Sequence, residues 1–63
     1  MDTFLVAWSG GYEPPAYKVA KTDVEAWRIA ESWRSQINHV DGEYIDILRI
    51  DTNLGEVERI GGF

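Results

Sequence analysis

Apolar positions along this chain follow a period of two near both ends and a helical period between them. In Thr3-Phe4-Leu5-Val6-Ala7-Trp8-Ser9, β-branched and aromatic types predict a strand over residues 3–9 with Phe4, Val6 and Trp8 on one face. Leu5 and Ala7 make its second face apolar too. Gly10-Gly11 ends the strand, and Pro14-Pro15 fixes φ and withholds ladder donors, so residues 9–15 read as a loop containing Tyr12. Tyr17 and Val19 alternate with Lys18 in a second strand over about residues 16–21, antiparallel to the first and wet on one face.

Thr22-Asp23-Val24-Glu25 has the form of a capping box. The Thr22 hydroxyl can accept from the Glu25 amide while the Glu25 carboxylate reaches back to the Thr22 amide, so a helix should begin at Asp23. At 100° per residue, Ala26, Ile29, Ala30, Trp33, Ile37 and Val40 form one stripe about 100° wide, and Asp41-Gly42 marks the helix end. Ala26 and Ala30 are small enough for close approach to a sheet, with Trp33 filling the space beside them. Glu43 to Asp51, dense in Ile and Leu, reads as a central third strand, and Glu56 to Ile60 as a fourth. Asp51-Thr52-Asn53-Leu54-Gly55 supplies the hairpin turn between them.

The order is ββαββ: one compact α+β domain over residues 1–63, a four-stranded, mostly antiparallel sheet with one helix packed on one face. A single helix leaves the other sheet face bare, either Phe4, Val6 and Trp8 or Leu5 and Ala7. Either a partner chain covers that face, or Phe63 and the C-terminal turn fold over it.

Composition narrows the function. With 63 residues, the chain buries only about 60% of the surface it exposes when unfolded. It has no cysteine and one histidine, which excludes disulfides and Cys-based metal sites; no metal or cofactor is expected. Three Trp, three Tyr and two Phe argue for a folded core. The run Phe4–Trp8 is far below the ~18 residues of a membrane span, and no basic segment precedes it as in a secretory signal, so a cytoplasmic protein without a membrane role is the expectation.

The net charge of −5 is unevenly spread. Residues 1–40 carry five acids and four bases, whereas residues 41–63 carry six acids and two bases. Such a chain is repelled by phosphate backbones, which excludes direct nucleic-acid binding and favours a protein partner with a basic surface. The acidic set Asp41, Glu43, Asp46, Asp51, Glu56 and Glu58 has two readings. Spread over both faces it confers solubility; as a row spaced like DNA phosphates it could occupy the basic groove of a nucleic-acid-binding protein. Arg49 and Arg59 interrupt the field and can pair across the hairpin, which favours the first.

No set of residues has the form of a catalytic site. His39 falls near the helix C-terminus, where a cap or solvent role fits it, and no Ser or Cys has a claim to be its nucleophile. Asp51, Asn53 and Glu56 lack the glycine and final glutamate spacing of a calcium loop and read as a turn; Gly10-Gly11 lacks the Lys-Ser/Thr of a phosphate loop. Trp27 lies roughly 80° to 120° from the centre of the helix stripe, beside Arg34, and is either a core-edge residue or an exposed anchor.

From Phe4 to Ile50, two strands, Ala20-Lys21-Thr22-Asp23-Val24-Glu25-Ala26 leading into Ala30-Glu31-Ser32-Trp33, and a further strand resemble the small RNA-polymerase inhibitor of short-tailed coliphages. The resemblance implies a non-enzymatic α/β domain that occupies the β′ jaw of a host polymerase. Arg49 falls near a position where that family binds through arginine, but the companion arginine two residues on is here Asp51. The expectation is a non-enzymatic protein-binding module, an inhibitor from a phage or mobile element, that meets a basic surface of a host nucleic-acid-handling protein. Its binding residues are then Glu43, Asp46, Arg49, Asp51, Glu56, Glu58, Trp27 and Tyr12. The alternative is a homo-oligomeric structural protein, for instance a homodimer that hides its second apolar face against itself; a small enzyme ranks third.

Overall fold

A computed structural model describes residues 2–63. Strands β1 (Asp2–Ser9) and β2 (Ala16–Ala20) are followed by helix α1 (Asp23–Arg34), a 3-10 turn (His39–Asp41), and strands β3 (Tyr44–Asp51) and β4 (Glu56–Gly62). They form one four-stranded sheet in the order β2-β1-β3-β4, every neighbouring pair antiparallel. β1 and β3 are central and pair from Asp2–Asp51 to Ser9–Tyr44. The fold is α+β, with ββαββ connectivity. β2 and β3, both antiparallel to β1, run parallel to each other, and α1 makes the crossover between them.

The first strand's two apolar faces are resolved by the helix. Phe4 and Val6 are buried on the helix side together with Ala20, Ile45 and Ile47, and Ala26 and Ala30 of α1 are fully buried against them. Trp8, Ile29, Trp33, Ile37, Ile60 and Phe63 close the rim of this core. The two alanines bring the helix backbone close to the sheet, and the large rings fill the flanks.

Capping starts α1 at Asp23, with one difference from the reciprocal box. The Thr22 Oγ1 accepts from the Glu25 amide at 3.1 Å, but the Glu25 carboxylate accepts from the Lys21 amide at 3.2 Å, one residue further out. The helix ends at Arg34, a turn and a half earlier than its apolar stripe implies. Asn38 shapes the turn that follows: its Oδ1 accepts from the Val40 and Asp41 amides, and its Nδ2 donates to Asp41 Oδ2 at 2.9 Å. These local bonds offer the backbone an alternative to the helical ladder. Ile37 still reaches the core, whereas Val40 is 96% exposed.

β4 runs two residues beyond its expected end at Ile60 and carries a bulge. Leu48 pairs with Arg59 and Ile47 with Gly61, so Ile60 is the extra residue. One inserted residue exchanges the faces of all that follow. Phe63, which exchanges both backbone hydrogen bonds with Ile45, therefore lies on the helix side, with its ring 5.9 Å from Trp27 and 4.8 Å from the Arg34 guanidinium. This removes the alternative in which Phe63 folds over the face the helix leaves open. Gly61 makes the arrangement possible, because a Cβ there would overlap the Trp27 ring.

Candidate functional site

Strand register puts Leu5, Ala7, Tyr17, Val19, Leu48, Ile50 and Val57 on the sheet face away from α1. Val19, Leu5 and Leu48 form one row across three strands, and Ile50 pairs with Val57 in the next hairpin. Ala7 is buried and Leu5, Leu48 and Ile50 are half-buried among their neighbours, whereas Tyr17, Val19 and Val57 are exposed, Val19 at 66% and Val57 at 62%. The only charges on this face among the described residues are Asp46 and Arg59, joined by a 2.8 Å ion pair from Arg59 Nε to Asp46 Oδ1. The edge strand β2 therefore turns Tyr17 and Val19 outward, while Lys18 lies on the helix side with its ammonium 5.8 Å from the centre of the Trp33 ring.

Residues singled out in the sequence are distributed over both faces and both ends of this sheet. Asp46 projects from the open face, but Arg49 and Glu58 pair on the helix side, Arg49 Nη2 lying 2.9 Å from Glu58 Oε2, and Glu56 stands on that same side opposite Asp51. Asp51 is occupied with its own turn, its Oδ1 accepting from the Asn53 and Leu54 amides. Glu43 lies at the far end of β3, where its Oε1 accepts from Trp8 Nε1–H at 2.8 Å. Trp27 is 37% exposed and lies over Gly61 and against Phe63; Tyr12, 92% exposed, stands in the β1–β2 loop. The structure thus brings together Arg49 with Glu58 and Asp46 with Arg59, each acid beside a neutralising base, and separates Glu43 and Tyr12 from Asp51 and Glu56 by the length of the sheet.

A second feature has no trace in local sequence pattern. The β1–β2 loop folds back over the start of β3 and encloses a cleft of about 200 Å³ lined by Trp8, Gly10, Glu13, Pro14, Ala16 and Glu43. Glu13 and Glu43 are thirty positions apart, so only the pairing of β1 with both neighbours brings them to one end. Among the described residues no group of three or more His, Cys, Asp or Glu could hold a metal ion, and no helix is long and apolar enough to cross a membrane.

No protein-family model matches this chain, and neither a curated protein nor a solved structure matches it.

Proposed function

We propose that this protein is a non-enzymatic binding module that acts in the cytoplasm by seating its open sheet face on another protein. The observation that carries this reading is the bare face itself, whose apolar side chains cross all four strands while the helix buries only the opposite side. Contiguous exposed apolar surface of this kind marks protein interaction sites more often than solvated surface. Charge selects the partner. A chain at −5 opposes docking of a second copy and favours an apolar patch bordered by basic groups. The resemblance to the coliphage polymerase inhibitor makes nucleic-acid-handling proteins of a phage host the first class to screen.

The test separates face from charge. A Tyr17→Ser/Val19→Ser/Val57→Ser variant changes only exposed side chains, so its thermal midpoint should stay near that of the parent, while a partner retained by the parent on an affinity column should be lost. Retention by both would overturn the assignment to this face. Equal retention by a Glu56→Lys/Glu58→Lys variant would remove the acidic hairpin from the mechanism. Sedimentation decides the homo-oligomeric reading: a monomer at micromolar concentration is expected, and a dimer that dissociates in the triple serine variant would replace the heterologous partner with a second copy.

A further inference from the structure

We infer that the cleft between the β1–β2 loop and the start of β3 is an arginine pocket that receives the guanidinium of a side chain from the partner protein. The inference rests on the protein-binding reading and adds a second contact beyond the open face, since Trp8 and Ala16 stand on the helix side of the sheet at its end.

The cleft is preformed. Gly10, at φ +86°, approaches the Gly42 carbonyl so closely that a Cβ would overlap it, and a Cβ on Gly11 would lie 2.8 Å from Glu43 Cγ. The loop is thereby docked on the residues that lead into β3, and Pro14 and Pro15 restrict its return path. Trp8 forms part of the wall and is held from two sides, by its Nε1–H bond to Glu43 and by Trp33, whose ring centre lies 5.5 Å from its own. That bond occupies Glu43 Oε1 and fixes the carboxylate, leaving the other oxygen with its full acceptor capacity.

Size and chemistry select the ligand. At about 200 Å³ the cleft is smaller than the roughly 300 Å³ at which pockets for drug-sized ligands begin, and it suits a single long side chain. Its lining combines an indole, a proline and an alanine with two glutamates and no basic group. An anion is repelled there, and a purely apolar group would leave carboxylates desolvated without compensation. A cation with an apolar stem satisfies both parts of the lining. Guanidinium fits better than ammonium because it is planar, weakly hydrated, stacks on aromatic rings and presents five donors to carboxylate oxygens. Two carboxylates on a flat surface would only be solvated; the enclosing indole and proline make them a site.

The Trp8 indole Nε1–H resonance reports occupancy directly. In an NMR titration with the blocked peptide Gly-Arg-Gly, that signal should move and saturate while those of Trp27 and Trp33 move less. The Gly-citrulline-Gly counterpart, of the same shape but neutral, should bind at least about tenfold more weakly. Glu13→Gln and Glu43→Gln should each weaken the arginine peptide by about tenfold, the latter retaining an oxygen acceptor for Trp8. Equal binding of the citrulline peptide, or no effect of either glutamine variant, overturns the pocket. Free L-arginine binding as tightly as the blocked peptide would overturn a partner side chain as the occupant and make a free cation the ligand. If the titration fails while the open-face variant still loses its captured protein, the pocket alone falls. If the titration succeeds and no protein is retained, the cleft keeps its preference for guanidinium, but the partner side chain as its occupant falls with the binding-module reading.

Discussion

Single atoms decide how the last residues pack. Trp27 can lie against β4 only because Gly61 has no Cβ, so Gly61→Ala forces the indole or the strand to move. Overpacking of this kind costs about 1–3 kcal/mol, and chemical denaturation should show a lowered midpoint with an unchanged slope. Asn38 is the other residue whose atoms set a path, since three hydrogen bonds from its side chain shape the turn that ends the helical segment. Asn38→Ala should cost about 1 kcal/mol, the range of a lost helix cap, whereas Val40→Ser, at a side chain almost wholly in water, should stay within about 0.5 kcal/mol of the parent.

Among the elements, the bulge in β4 has the widest effect. Removing Ile60 restores a continuous ladder with β3, deletes a core side chain and leaves the residues after it in unbulged register. A variant lacking Ile60 should therefore be destabilised by about 2–5 kcal/mol, while nuclear Overhauser contacts between Phe63 and Trp27 should persist, because Gly61 stays opposite Ile47 and Phe63 opposite Ile45. Element types and order were legible in the sequence, because alternation in β1 and β3, the capping residues of α1 and the Asp51–Gly55 turn each have a local cause. Three features were not legible. The bulge depends on which residue of β4 meets Ile47, the 3-10 turn in place of further helix on an Asn side chain that takes the Val40 and Asp41 amides, and the side of the sheet that Phe63 takes on both strands together. The candidate surface was half visible: Leu5 and Ala7 already signal a second apolar face, but its extent across Tyr17, Val19, Leu48, Ile50 and Val57 follows only from register. The cleft left no signal, since its carboxylates come from segments thirty residues apart.

At the scale of the whole molecule, a 37 × 20 × 16 Å body presents one buried and one bare sheet face, under a net charge of −5. The strand edges have a different character from that face. β2 is five residues long and enters from two prolines, while β4 carries Glu56, Glu58 and Arg59 and is bent by its bulge. Short, charged and bulged edges are the devices by which sheets avoid extending strand by strand into neighbouring molecules. The bulge therefore does more than place Phe63: it shields the protein from cross-β growth, the hazard an apolar sheet surface invites. Prolonged incubation at high concentration should yield no thioflavin-positive fibres from the parent, and fibres should appear first in the variant whose β4 has been straightened by removal of Ile60.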